Sequence, residues 1–215
     1  MSTQRSFLNR RLHSLLGVIP VGFFLIEHFY TNYHATEGVQ EWIEQVEWIW
    51  DLPLLVILEI FFIFLPLMYH AIYGLYVAFQ AKNNVGNFST FRNYMFMLQR
   101  VTGVITLVFV VWHVWQTRIQ LAIHDYTAAE LAQQTSQLMQ NPVTLTLYII
   151  GIVSAVFHFS NGMWSFLVSW GVTVGPRSQY VSTWVWGVVF VLLSYFGIHS
   201  ALAFADPNFV SLAQR

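Results

Sequence analysis

The 215-residue sequence contains no cysteine, and only 9% of its residues are charged. Without cysteine there is no thiolate for an iron–sulphur cluster and no C-x-x-C-H motif for covalent attachment of haem. With so few charges and 56% hydrophobic residues, the chain lacks the polar surface that a water-soluble globule needs. The composition therefore indicates an integral membrane protein that lies in a lipid bilayer, and no nucleic-acid partner is expected.

The charged residues cluster between long uncharged runs. About 20 apolar residues cross the hydrocarbon core as a helix, so the runs predict an all-α bundle of five transmembrane helices in one domain, 1–215. The first span carries Glu27 and His28 and exceeds the apolar length of a signal peptide, so we interpret it as a true span. The predicted spans lie near 12–33, 54–80, 95–120, 143–170 and 182–204.

The basic residues predict the orientation of the bundle. Only Arg118 and Arg215 fall on the side opposite the N-terminus, and the other seven fall on its own side: Arg5, Arg10, Arg11, Lys82, Arg92, Arg100 and Arg177. The positive-inside rule then places the N-terminus in the cytoplasm and the C-terminus outside.

Two connections of about 20 residues, 34–53 and 121–142, are the longest segments between predicted spans. The first has apolar residues at helical spacing opposite Glu41, Glu44 and Glu47. This pattern is typical of an amphipathic helix that lies flat at the outer interface. A solvated loop with anchoring tryptophans is the alternative.

Four histidines fall well inside predicted spans, one on each of the first four helices. A polar ring in hydrocarbon is costly and marks a candidate functional site, although a lone buried histidine is more often a packing residue. Because alternate spans run in opposite directions, His28 and His113 share the outer half and His70 and His158 share the inner half, with depths that agree to about 3 Å. Two facing imidazoles can ligate a haem iron on both faces, which favours electron transfer. The pattern predicts two non-covalently bound b haems.

Small and polar residues near the inner histidines are further candidates for haem binding. Gly74 and Gly162 each follow an inner histidine by four residues, so they lie on the same helix face. They could leave room for a flat ring or permit close helix packing. His13 and Ser14, at the cytoplasmic end of the first span, could bond the inner-haem propionates, or His13 could be an ordinary interfacial residue.

Two acids lie inside spans. Glu59 precedes His70 by eleven residues, which returns it to within about 20° of the same helix face and about 16 Å higher. It could carry protons for a quinone near the outer haem. Glu27 points about 100° away from its neighbour His28. For both acids, the alternative is a protonated packing residue.

Zinc or copper transport is the competing interpretation of histidines within a membrane. Such a path would favour carboxylates and thioethers beside the histidines in one lumen, rather than two depth-matched pairs.

Five stretches of the sequence resemble one known family. They read "RRLHSLLGVIPVGFFLIEH", "EIFFIFLPLMYHAIYGLYVAFQAKNN", "LQRVTGVITLVFVVWHVWQTR", "VFHFSNGMWSF" and "GPRSQ". The chain resembles the di-haem cytochrome b558 membrane anchors of succinate:menaquinone oxidoreductases of the Gram-positive type. The resemblance covers all five spans, and each histidine recurs in its own context.

The resemblance implies ligands, partners and a reaction. His70 and His158 would ligate the haem nearer the cytoplasm, and His28 and His113 the haem nearer the outside. A flavoprotein subunit with covalent FAD and an iron–sulphur subunit would dock on the cytoplasmic face, at loops 81–94 and 171–181. Electrons from succinate would pass through the clusters and both haems to menaquinone, in the cytoplasmic membrane of a bacterium. This chain would reduce the quinone and would not itself oxidise succinate.

Two alternatives remain at this point. A di-haem anchor could serve a fumarate reductase, which works in the reverse direction. A haem-free transporter or helical scaffold is the more distant alternative.

Overall fold

The computed structural model describes residues 3–82 and 84–210, and within these ranges every regular element is helical. The all-α prediction is confirmed. Arg215, which the charge pattern assigns to the outer side, lies outside the described residues. The α-helices are α1 (Thr3–Val18), α2 (Pro20–Tyr33), α3 (Val39–Trp50), α4 (Leu55–Leu58), α5 (Leu65–Gln80), α6 (Phe91–Val114), α7 (Gln120–His124), α8 (Ala128–Gln140), α9 (Pro142–Ser169) and α10 (Pro176–Ala205).

In the described part of the chain, five helical stretches are long and apolar enough to cross a membrane. The predicted number of spans is confirmed, and most of the stretches extend a few residues beyond the predicted ends. The orientation of the termini stays a prediction. The stretches are Arg5–Thr36, Leu55–Gln80, Phe91–His124, Pro142–Ser169 and Pro176–Ala205.

Proline interrupts the first span. Helix α1 ends at Val18 and α2 begins at Pro20, with Ile19 between them. Proline has no backbone N–H. At the first position of a helix this donor would have no acceptor within the helix, so its absence costs little. The sequence predicts this span as one segment, whereas the structure divides it into two helices.

Two π-helical segments interrupt other spans. Glu59–Phe64 joins α4 to α5, and Trp115–Ile119 joins α6 to α7. A π-turn holds more residues than an α-turn, so it changes which later side chains share a face. The 100° step that aligned Glu59 with His70 does not hold across the first of these segments.

The connection 34–53 is helical over α3, which confirms the helical alternative over the loop. Trp42, Ile43 and Val46 are buried, and the three acids predicted to oppose them are exposed. Helix α3 packs against α8, and the Trp42 ring meets the Phe204 ring edge-on with centroids 5.3 Å apart.

Helix α8 in the connection 121–142 was not predicted. It begins with a capping box, in which the Thr127 hydroxyl accepts from the Glu130 N–H and the Glu130 carboxylate accepts from the Thr127 N–H at 2.8 Å. The Thr127 backbone and hydroxyl donors lower the pKa of Glu130 from its usual value. Ala132, Ser136 and Met139 form part of its buried face.

The described residues form two compact units. Unit 1 comprises described residues of 1–25, 56–104 and 155–191, and unit 2 comprises those of 26–55, 105–154 and 192–215. His70 and His158 fall in unit 1, whereas His28 and His113 fall in unit 2. Each predicted pair therefore lies within a single unit.

Candidate functional site

The pair in unit 1 brings His70 of α5 to His158 of α9. Their ring centroids are 6.1 Å apart, and the ring planes are inclined by 84°. Both side chains are at least partly buried. We call these residues the unit 1 pair.

A backbone carbonyl orients each imidazole of the unit 1 pair. His70 donates from Nδ1 to the His13 carbonyl at 2.9 Å, and His158 donates from Nδ1 to the Gln99 carbonyl at 3.0 Å. A carbonyl can only accept, so Nδ1 of each ring carries a proton, and in a neutral imidazole Nε2 then keeps its lone pair. Ligand histidines in metal sites usually donate from their second nitrogen in this way. Both rings are therefore oriented to bind a metal through Nε2.

His13 lies against the unit 1 pair. Its ring stacks on that of His70, with centroids 4.1 Å apart and planes inclined by 13°. The same ring approaches Gly74, where a Cβ would lie 3.1 Å from its Cε1. Among the described residues, the buried His13 Nδ1 has no hydrogen-bond partner. Gly74 thus makes room for a second imidazole beside the ligand, and His13 has a free nitrogen there.

Ser14 already has protein partners. Its hydroxyl donates to the Arg11 carbonyl at 3.0 Å and accepts from Trp170 Nε1 at 3.1 Å. The Arg11 guanidinium donates to the Ser169 carbonyl at 2.6 Å and lies over the Trp170 ring. These contacts join the second half of α1 to the end of α9.

Gly162 faces a polar side chain. A Cβ at residue 162 would lie 3.2 Å from Nε2 of Gln99. That amide donates to the His158 carbonyl at 2.9 Å and accepts at Oε1 from Asn161 Nδ2 at 2.7 Å. The glycine therefore leaves room for an amide network around His158. Gln99 and Asn161 were not predicted, because single polar residues in a span carry no signature of such a network.

The pair in unit 2 brings His28 of α2 to His113 of α6. Their ring centroids are 5.6 Å apart, with planes inclined by 77°. The side chain of Asn32, one turn after His28, donates to the His28 carbonyl at 2.8 Å and accepts from Trp42 Nε1 at 3.3 Å. Helix α3 thereby supports the residue beside His28. We call His28 and His113 the unit 2 pair.

Aromatic side chains enclose His113. Its Nδ1 lies 3.4 Å from the hydroxyl of the buried Tyr148, and its ring stacks on Phe109 with centroids 5.7 Å apart. Phe109 in turn lies directly against Gly151, where a Cβ would overlap the ring. Trp112 packs on Tyr148 with centroids 5.1 Å apart. The role of Tyr148 was not predicted from the sequence. Among the aromatic side chains around His113, Tyr148 places its hydroxyl near Nδ1.

The ring separations fit the size of a six-coordinate iron. A bond from a metal to an imidazole nitrogen is about 2 Å long, so two such bonds in line place the ring centres about 6 Å apart. The unit 1 pair at 6.1 Å and the unit 2 pair at 5.6 Å both match this distance. Imidazoles on two facing helices are the donor set of a bis-histidine haem.

The two acids differ in their surroundings. Glu27 is exposed on α2, and its carboxylate accepts from the Thr31 hydroxyl at 2.7 Å. Glu59 is half-buried and opens the first π-helical segment. Such segments recur at functional sites in helical proteins.

His199 belongs to neither pair. Its ring lies 4.2 Å from that of Tyr195, one turn earlier on α10, and both side chains are exposed. It lies within the fifth predicted span, near 182–204.

Comparisons with known proteins show the family of this chain. The model of the succinate dehydrogenase/fumarate reductase transmembrane subunit family matches residues 82–197 of this chain. The chain belongs to this family. As a member, it is a transmembrane subunit of the succinate dehydrogenase/fumarate reductase type. It is also 51% identical over 209 residues to the succinate dehydrogenase cytochrome b558 subunit of Bacillus subtilis (strain 168), which covers 95% of this chain and 100% of that protein.

The matched family region contains two of the four paired histidines, His113 and His158, whereas His28 and His70 lie before it. His28 and His70 are instead covered by the similarity to the Bacillus subtilis relative, which extends over nearly the whole chain.

Proposed function

We propose that this chain is the cytochrome b membrane anchor of a succinate dehydrogenase and that it passes electrons from succinate to menaquinone. The observation that carries the proposal is the pair of imidazole sites, whose ring separations of 6.1 and 5.6 Å suit two b haems. The relative's name, cytochrome b558, supports haem as the occupant. When bound, each haem would supply a one-electron carrier, with both axial positions closed to other ligands.

The residues of the chain hold and tune these carriers. His70 and His158 would bind one iron through Nε2, because their Nδ1 atoms donate to helix carbonyls. His28 and His113 would bind the other. His13, with its unpartnered Nδ1 beside His70, is positioned to donate to a haem propionate, and Ser14 would do so only after exchanging one of its present bonds.

The partner subunits supply the electrons. We propose that a flavoprotein with covalent FAD and an iron–sulphur subunit dock on the cytoplasmic face, at segments 81–94 and 171–181. Both segments were predicted as loops, but their last residues form the first turns of α6 and α10. In unit 1 the Arg92 guanidinium lies over the Trp164 ring, 3.6 Å from its centroid, and donates to Thr183. This contact fixes the start of α6 against α9 and α10, next to both segments.

The direction of electron transfer predicts a response to the membrane potential. If menaquinone takes its electrons and protons at the outer side, the inside-negative potential drives electrons outward and assists the reaction. One charge moved across 100 mV gains about 2.3 kcal/mol. Collapsing the potential of energised vesicles with an uncoupler should slow reduction of menaquinone by succinate. Succinate oxidation by a water-soluble dye that bypasses the anchor is the control and should not slow. An unchanged menaquinone rate would contradict the outward direction.

Glu59 is proposed as a proton relay to the quinone. A carboxyl group can pass protons within the membrane, whereas an amide of the same shape cannot. Glu59→Gln should lower menaquinone reduction by about 10- to 100-fold with both haems retained. Glu27→Gln is the matched control, since its carboxylate is held by Thr31. Equal activity of Glu59→Gln and wild type would remove Glu59 from the pathway.

A further inference from the structure

His70 and His158 of the unit 1 pair each contact another helix, and the two contacts have the same pattern. On α1, the His13 carbonyl accepts from His70 Nδ1, and Gly17 follows four residues later. On α6, the Gln99 carbonyl accepts from His158 Nδ1, and Gly103 follows four residues later. Each ligand therefore meets a helix at a carbonyl and at the glycine one turn further along.

The geometry of the α-helix explains why glycine stands there. Each Cα–Cβ bond tilts toward the N-terminus, so the side chain at position i+4 covers the carbonyl at position i. A Cβ at residue 103 would lie 2.8 Å from Cε1 and 3.0 Å from Nδ1 of His158. A Cβ at residue 17 would overlap the same two atoms of His70. Any side chain at either position would push the imidazole away from its carbonyl.

The contact also directs the metal-binding nitrogen. At both glycines, Nε2 is the farthest of the three nearest ring atoms, at 3.2 Å for His70 and 3.8 Å for His158. The ring thus presents its Nδ1 and Cε1 edge to the helix. A hydrogen bond from Nδ1 raises the basicity of the ligand and fixes the ring orientation, both of which tune a bound metal.

We propose that Gly17 and Gly103 are positioning residues for the unit 1 haem, which set the hydrogen bond and orientation of the axial ligands His70 and His158. This inference rests on the proposed function. The sequence pattern predicts that Gly74 and Gly162, which follow the ligands on their own helices, leave room for the cofactor or permit close helix packing. The structure places Gly17 and Gly103 on the opposing helices, against the ligand rings themselves.

The test replaces each of these glycines with alanine in the assembled complex. In Gly17→Ala and Gly103→Ala, we expect the low-spin electron paramagnetic resonance signal and the midpoint potential of the unit 1 haem to shift beyond replicate error. The signals of the two haems are assigned with the ligand variants described in the Discussion. The unit 2 haem should keep its signal and its potential, because its ligands lie elsewhere.

Two control variants separate this role from packing. Among the described residues, no side chain and no other helix lies within 4 Å of a Cβ added at Gly187, so Gly187→Ala should behave as wild type. Gly197→Ala introduces a clash of similar size, with Phe29 and Ile152 at 2.7 Å, but in unit 2. It should leave the unit 1 haem unchanged. Unchanged signals and potentials in both Gly17→Ala and Gly103→Ala, with two haems in wild type, would overturn the inference and leave the proposed function intact.

A measurement on the wild type covers the case in which neither alanine variant assembles. Electron–nuclear double resonance of the oxidised protein in H2O and D2O detects the Nδ1 proton of an axial imidazole. A unit 1 signal that exchanges slowly supports a ligand bonded to a buried helix carbonyl. Absence of that proton, or its immediate exchange, would overturn the inference. A wild type without haem would instead contradict the proposed function.

Discussion

Replacing His158 with alanine should remove one of the two haems and leave the other in place. The proposed haem would have no thioether bond to the chain, which contains no cysteine, so loss of one axial ligand would leave its iron bound to His70 alone. The change also empties the space beside Gly103 and releases the Gln99 carbonyl. We expect the haem content of the purified complex to fall from two per chain to one, as measured by haem quantitation and the reduced-minus-oxidised spectrum.

His199→Ala is the matched control for this prediction. It removes an intramembrane histidine that lies against the Tyr195 ring and belongs to neither pair. It should retain two haems. Two haems in His158→Ala, or loss of one in His199→Ala, would contradict the assignment of the unit 1 pair.

Replacing His113 with alanine should stop electron transfer to menaquinone. The unit 2 haem would be lost, because His28 alone would remain to hold it. We expect menaquinone reduction by succinate to fall by about 100-fold or more, since no carrier would remain near the proposed quinone site. Succinate oxidation by a soluble dye should continue, because we propose that a partner subunit carries the succinate site.

Tyr148→Phe provides the graded comparison at this site. It removes only the hydroxyl that lies 3.4 Å from His113 Nδ1 and keeps the ring against Phe109. It should retain both haems and most of the menaquinone reduction. Wild-type menaquinone reduction in His113→Ala would show that electrons do not need the unit 2 pair.

The histidine pairs could be predicted because they depend on few quantities. The length of each span and the alternation of span direction placed His28 with His113 and His70 with His158. The structure brings together the members of both pairs, with centroids 5.6 and 6.1 Å apart. Neither result needed knowledge of how the helices rotate about their axes.

The supporting residues could not be predicted, because they depend on helix rotation and on the backbone. The acceptors for His70 and His158 are main-chain carbonyls, which every residue carries, so no side chain in the sequence marks them. A role for Gly17 and Gly103 can be inferred only once the structure shows an imidazole from another helix against each of them. The π-helical segment that begins at Glu59 likewise has no signature in the apolar pattern around it.

The most direct test of the account is a dithionite-reduced minus oxidised spectrum, with haem quantitation, of the wild-type chain purified with its partner subunits. We expect two low-spin b haems per chain, each with two histidine ligands. A folded and membrane-inserted chain that contains no haem would contradict the ligand assignment and the electron-transfer function together.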